Sequence, residues 1–163
     1  MPGRKRSLAG SLGGVAGGVV LFGLLWRGLA GIDKGAAQAL VLLIPAGVVF
    51  GLSVAVAIGR FVTQTFDPLS GAATGRYLPV TQRALTNSLE QGIVVMAFGS
   101  VLVRAGDAWA WPVAAGLAAT FLAARMVFWL GYLRSTYGRA PGMAVTMLVN
   151  AAMLTLAVVA LVR

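Results

Sequence analysis

Three polar side chains lie at helical spacing in a segment that is otherwise apolar. Arg83, Asn87 and Glu90 occupy positions i, i+4 and i+7, so on an α-helix they share one face within a sector of about 60°. At the centre of a membrane-spanning helix each charged group costs roughly 2.5–3.5 kcal/mol on insertion scales. A cation, an amide and a carboxylate in one stripe therefore indicate a ligand site, or a polar clamp that holds helices together.

A second polar group lies near the end of a later apolar segment. Arg125 and Tyr132 are separated by two helical turns and share a face, and Arg139 follows them in a short connection. Arginines converging on Glu90, the only carboxylate in a span, leave surplus positive charge that suits an anionic ligand with carboxylates. A nearby arginine would also lower the pKa of a bound thiol and supply a thiolate nucleophile. Alternatively, these arginines are ordinary charges at the membrane boundary. Arg134 could also replace Arg139 as the arginine that stabilises the thiolate.

Composition places these residues in a membrane protein. Of 163 residues, 59% are hydrophobic and 10% are charged, whereas a soluble domain carries about 25% charged residues. The chain has no cysteine and no histidine, which removes disulfides, thiol and histidine catalysis, and most metal sites. The net charge of +9 comes with no nucleic-acid motif, so we expect membrane lipids rather than nucleic acid as partners.

The apolar runs predict an all-α protein with five membrane spans, since about 20 residues cross a bilayer. The predicted spans cover 12–32, 36–58, 80–103, 108–132 and 143–162. Residues 60–79 form the longest polar connection.

Two residues within the later spans have predicted structural roles. Pro45 removes a backbone hydrogen bond and predicts a kink in the second span. Asn150, the one strongly polar residue of the last span, is typical of a helix–helix hydrogen bond.

The first span has two interpretations. Gly10, Gly14 and Gly18 form a small-xxx-small ridge that lets another helix approach closely, which indicates a retained transmembrane helix. The basic head and the sequence 28–30 also fit a signal peptide with its cleavage site. We favour retention, because an arginine as close to that site as Arg27 would be unusual.

Basic residues are distributed unequally between the connections, with more on the side of the amino-terminal head. That side holds Arg4, Lys5, Arg6, Arg60, Arg76, Arg134 and Arg139, and the other side holds Lys34, Arg104 and Arg163. The positive-inside rule therefore predicts a cytoplasmic amino terminus. Abundant arginine, alanine, glycine and valine suggest a bacterial source, so we expect the bacterial inner membrane.

These motifs resemble the MAPEG family, the membrane-associated proteins in eicosanoid and glutathione metabolism. The family's Arg-x-x-x-Asn-x-x-Glu motif stands here as Arg83, Asn87 and Glu90. Its Arg-x-x-x-x-x-Gly-Tyr element stands as residues 125–132, and a basic residue seven positions further on stands as Arg139. The resemblance covers residues 36–163, which we expect to form a four-helix membrane domain. Residues 1–35 would add a basic head and one extra transmembrane helix.

The resemblance implies a homotrimer that binds glutathione, as cosubstrate, between neighbouring subunits and opens to the inner side. Five side chains would hold the tripeptide or brace its site: Arg83, Asn87, Glu90, Arg125 and Tyr132. Arg139 would be the catalytic residue, because it would stabilise the thiolate. A small lipophilic electrophile would approach from the membrane and be attacked by that thiolate.

Three functions fit this pattern. The first is a membrane transferase or peroxidase that uses glutathione, or another thiol, against hydrophobic electrophiles or lipid hydroperoxides. The second is a non-catalytic lipid-binding or scaffold protein of the same fold, which is favoured by Phe128 because some family members carry a tyrosine there. Gln91, where eicosanoid-type members have an aromatic residue, argues against a leukotriene-type activity. The third is a transporter in which Glu90 carries a proton.

Overall fold

Five long helices make up the computed structural model, which describes residues 2–63 and 75–163, with side chains described from residue 7. In chain order they are α1 (Pro2–Gly28), α2 (Lys34–Thr63), α3 (Tyr77–Ala105), α4 (Ala110–Arg134) and α5 (Ala140–Val162). Each is long and apolar enough to cross a membrane. The predicted all-α class, the five spans and the extra amino-terminal helix are confirmed. Most of the predicted polar connection lies outside the described residues.

The first helix departs most from its predicted bounds of 12–32. It begins at Pro2 and ends at Gly28, because proline is tolerated in a first helical turn and the basic head continues the helix. Leu29 and Ile32 do not extend it; they pack against the core from the turn that follows. Asp33 then starts α2, since its Oδ1 accepts a hydrogen bond from the Ala36 backbone N–H at 2.9 Å, as an N-cap does.

The fourth helix lies at the centre of the bundle and packs against all the others, whereas α1 packs only against α4 and α5 within the described chain. Residues 114–118 of α4 are buried and consist of small side chains apart from one leucine. Small side chains let membrane helices approach closely. The fold is therefore a four-helix core of α2–α5 with α1 attached along the α4–α5 side.

The glycine ridge of α1 packs against the start of α5, as predicted. A Cβ at Gly14 would lie 2.6 Å from Cα of Pro141, and a Cβ at Gly18 would lie 2.8 Å from Cγ1 of Val145. Both distances are shorter than a side chain permits, so only glycine allows this approach. The ridge thus sets the position of α1 along α5.

Polar pairs also connect the core helices. Gln38 of α2 donates a hydrogen bond from Nε2 to Ser100 Oγ of α3 at 2.8 Å. Asn150 of α5 donates from Nδ2 to Oε1 of Gln91 on α3. The predicted helix–helix role of Asn150 is confirmed, and the pair gives Gln91 a structural role as well.

Pro45 lies inside α2, which continues through it from Lys34 to Thr63. The side chain is buried against α3, where a Cβ at Gly92 would lie 3.2 Å from Pro45 Cβ. Pro45 therefore contributes a contact surface for α3, and the predicted kink stays a prediction.

The glycine contact yields a stability prediction. We expect Gly14→Leu to lower the stability of the detergent-solubilised protein by about 1–3 kcal/mol, because an overpacked contact must shift. Gly13→Leu is the matched control, since a Cβ there meets nothing within 4 Å. Thermal unfolding measures both variants, and equal unfolding temperatures for the two would contradict the contact.

Candidate functional site

A cavity of about 510 Å³ opens at the end of the bundle where α3 and α5 begin and α4 ends. Its size lies within the range of small-molecule sites, about 300–1,000 Å³. The polar residues of its lining are Ser7, Ser11, Arg83, Asn87, Tyr132, Thr136, Tyr137 and Arg139. The apolar residues of its lining are Phe128, Ala140, Met143, Ala144 and Met147. Four of the six predicted site residues therefore line one cavity.

Tyr132 is the point at which the two sequence motifs meet. Its ring is buried near the end of α4, and Cζ of Arg139 lies 5.0 Å from the ring centroid. The Arg83 side chain of α3 lies next to its hydroxyl. The fold thus brings Arg83 of the first motif and Arg139, the basic residue after the second, to the same tyrosine side chain.

The polar side of the cavity is cationic. Arg83 and Arg139 are both exposed and both line it, and no carboxylate of the described chain does so. Oδ1 of Asn87 is buried and has no hydrogen-bond partner among the described residues. A buried polar atom left unpaired costs about 1–3 kcal/mol. The two arginines therefore suit this side of the cavity to an anion.

The other side of the cavity is apolar. Met143, Ala144 and Met147 of α5 line it, and Phe128 of α4 adds an aromatic ring. Methionine is flexible and polarisable, and it adapts to ligands of irregular shape. The cavity can therefore bind an amphiphilic ligand, or a polar and an apolar reactant side by side.

Arg125 does not line this cavity but lies buried beneath its wall. Its Nε donates a hydrogen bond to Ser88 Oγ at 2.9 Å, and its Cζ lies 4.1 Å from the centroid of the Phe128 ring. Its Nη1 and Nη2 have no partner in the described chain. The hydrogen bond to Ser88 connects α4 to α3, and the Phe128 ring that Arg125 contacts lines the cavity. These contacts favour a bracing role for Arg125 over ligand contact.

Glu90 also lies outside the cavity lining. It is exposed near the middle of α3, between Leu89 and Ile93, which are 45% and 54% exposed. It forms no ion pair or hydrogen bond with any residue that the structure describes. Because a carboxylate in hydrocarbon is costly, this side chain needs a partner from outside the described chain.

Two supporting contacts were not predicted. Arg76 donates from Nη2 to the backbone carbonyl of Tyr132 at 2.8 Å, and a basic side chain at a helix carboxyl end is stabilising. Ser88 accepts the hydrogen bond from Arg125. The sequence showed Arg76 only as a boundary charge and Ser88 only as a neighbour of Asn87, because both roles depend on the packing of α3 against α4.

The contribution of α1 to the cavity was also missed. Ser7 and Ser11 line it, and they share a helix face with Gly14 and Gly18 at positions i, i+4, i+7 and i+11. That spacing could have shown that the hydroxyls face the same way as the packed glycines.

These features define an all-α integral membrane protein with a four-helix core, an additional amino-terminal helix and a cationic cavity at one end. The model of the MAPEG family matches residues 38–159. This match covers most of the chain, so the protein belongs to the MAPEG family, and the predicted resemblance is confirmed. The match leaves out α1. No curated protein and no solved structure matches the chain.

The contact beneath the cavity yields a second prediction. We expect Ser88→Ala to destabilise the protein by about 1–3 kcal/mol, because it leaves Nε of Arg125 buried without an acceptor. Ser53→Ala is the control, since Ser53 is exposed and bonds only within α2. Thermal unfolding in detergent compares them, and an unchanged Ser88→Ala protein would mean that the Ser88 contact contributes nothing.

Proposed function

We propose that the protein is a membrane-bound transferase or peroxidase that uses glutathione, or another thiol, against hydrophobic electrophiles or lipid hydroperoxides. The observation that carries this proposal is the cavity itself, whose lining combines two arginines and Asn87 with apolar side chains of α4 and α5. Family membership supports it, because MAPEG members are often glutathione transferases or peroxidases.

The polar side would hold the thiol. Glutathione carries two carboxylates and peptide N–H groups, and Arg83 would pair with a carboxylate through charge-assisted hydrogen bonds. Asn87 would contribute its side-chain amide, and Tyr132 would contribute its hydroxyl. Arg139, as the catalytic residue, would stabilise the thiolate. Arg125 would brace Phe128 and the α3–α4 contact.

The apolar side would hold the second reactant close to the sulfur, so that reaction follows from positioning. In a transfer, the thiol releases its proton, the S–C bond forms, and the leaving group departs with the electron pair. With a hydroperoxide, sulfur attacks the terminal oxygen, the O–O bond breaks, and the lipid leaves as an alcohol after protonation. A second glutathione then reduces the sulfenic acid, which gives the disulfide and water.

A homotrimer is part of the proposal. Glu90 is a mid-span carboxylate on the surface of α3, and a neighbouring subunit would provide the partner that the described residues do not. Glutathione bound between subunits would place Glu90 within reach of the ligand. The cavity lies at the end that holds Arg76, Arg134 and Arg139, which the positive-inside rule predicts to be the cytoplasmic side.

A non-catalytic lipid-binding protein is the second candidate. A separate cavity of about 340 Å³ lies between α1, α4 and α5 and is lined almost entirely by apolar side chains, with Phe22, Trp26 and Trp109 among them. An acyl chain fits such a surface. Phe128, which lacks the hydroxyl of a tyrosine, also favours this candidate.

The third prediction tests the thiolate. Addition of glutathione to the detergent-solubilised protein is expected to give a saturable ultraviolet thiolate band, and Arg139→Ala is expected to remove it. Arg134→Ala is the matched control, because Arg134 is exposed at the same end of the bundle but does not line the cavity. A band lost in Arg134→Ala and kept in Arg139→Ala would reverse the assignment. Absence of a band in the parent protein, with bound lipid recovered from it, would favour the second candidate.

The fourth prediction concerns thiol binding. We expect Arg83→Ala to raise the Kd for glutathione about 10- to 100-fold, because hydrogen bonds to charged groups contribute about 1.5–3 kcal/mol. Arg104→Ala, at the opposite end of the same helix, is the control. Equilibrium dialysis measures both, and an Arg83→Ala protein that binds as tightly as the parent would show that Arg83 is not in the site.

A further inference from the structure

The helix outside the matched family region forms part of the cavity at the end of the bundle where the polar motifs meet. Ser7 and Ser11 of α1 line the same cavity as Arg83 and Arg139. Both serines are partly buried, whereas Leu8, Ala9 and Leu12 beside them are exposed. The face of α1 that carries the hydroxyls is therefore the face turned toward the bundle.

The packing of α1 against α5 fixes the position of α1 along the bundle. A Cβ placed at Gly10 would lie 3.5 Å from Cγ of Pro141, and Gly14 contacts the Pro141 backbone. The neighbouring residue, Ala140, lines the cavity, so the contact that seats α1 adjoins the wall of the site. A sliding of α1 by one turn would move the serines by about 5.4 Å and, in one direction, would bring Phe22 to the place of Gly18 against Val145.

The two hydroxyls are available to a ligand. Neither Ser7 nor Ser11 forms a hydrogen bond with another residue of the described ranges. A serine hydroxyl both donates and accepts, and the charged residues that share this cavity lining are cations. A carboxylate bound by those cations would also accept from the hydroxyls.

We propose that α1 is a wall of the thiol site, in which Ser7 and Ser11 donate hydrogen bonds to the anionic peptide portion of the bound thiol. This inference rests on the proposed function and deepens it. It assigns ligand contacts to a helix that the family match does not include, and it requires that α1 remain in the mature protein.

A single reporter thiol tests the position of these hydroxyls, because the chain has no cysteine of its own. The probe is S-methylglutathione, which keeps the peptide and both carboxylates but has no free thiol to react with a maleimide. We expect saturating probe to slow the labelling of the Ser11→Cys variant by a water-soluble maleimide at least tenfold. The Ala9→Cys variant, at a similar depth on the exposed face of α1, should label at the same rate with and without the probe.

The binding constants provide a second measurement, in variants that keep the helix intact. We expect Ser7→Ala and Ser11→Ala each to raise the Kd for S-methylglutathione about fivefold, since each removes one hydrogen bond. Ser53→Ala on α2 should leave the Kd unchanged. Thermal unfolding establishes that each variant is folded.

The outcomes separate the inference from the proposed function. If the parent protein binds S-methylglutathione while the Ser11→Cys variant labels at an unchanged rate and both alanine variants bind normally, the α1 inference is wrong and the proposed function stands. If the parent protein does not bind the probe, the proposal that this site takes glutathione is wrong, and the α1 inference is overturned with it. An intact mass that lacks residues 1–30 would also overturn the inference.

Discussion

Hydrocarbon does not solvate charge, and this constraint bears on each charged residue of the candidate site. Arg83 and Arg139 sit at the end of the bundle, where a cavity admits water or a ligand. Arg125 lies inside the core, where a hydroxyl and an aromatic ring receive its guanidinium. Glu90 lines no such cavity and has no bonding partner among the described residues. Its position on the surface of α3 therefore supports the proposed homotrimer.

Close approach of helices through small residues gives the cavity its shape. The alanines and glycine of α4 let it contact every other helix, and Gly14 lets α1 lie against Pro141. As a result, α1, α3, α4 and α5 all contribute side chains at one end. Met143 and Met147 of α5 belong to the same lining, so cationic and apolar side chains border a single space.

The sequence was sufficient to predict the five helices, because each is a long apolar run, and to predict four residues of the cavity, because polar residues in spans are rare and periodic. It did not predict that Arg125 bonds to Ser88, or that Arg76 caps α4 at Tyr132. Those contacts depend on the rotation and offset of one helix against another, which periodicity does not specify. The two serines of α1 are an intermediate case. Their spacing from the glycines shows that they share the packed face of α1, but it does not show which helix that face contacts.

The addition of α1 changes what the family match implies for this chain. Residues 38–159 provide a cavity with cations and an apolar wall, but the side toward α1 is completed by residues that precede the match. A helix held there by glycine–proline contact places hydroxyls in the same lining as the cations. Selectivity among anionic thiols would then depend on α1, whereas activation of the thiol would depend on the arginines of the core. Thiol binding would thus draw on both α1 and the core, whereas activation would depend on the core arginines, and substitutions in α1 could alter the preference for a thiol without removing the charge that makes it reactive.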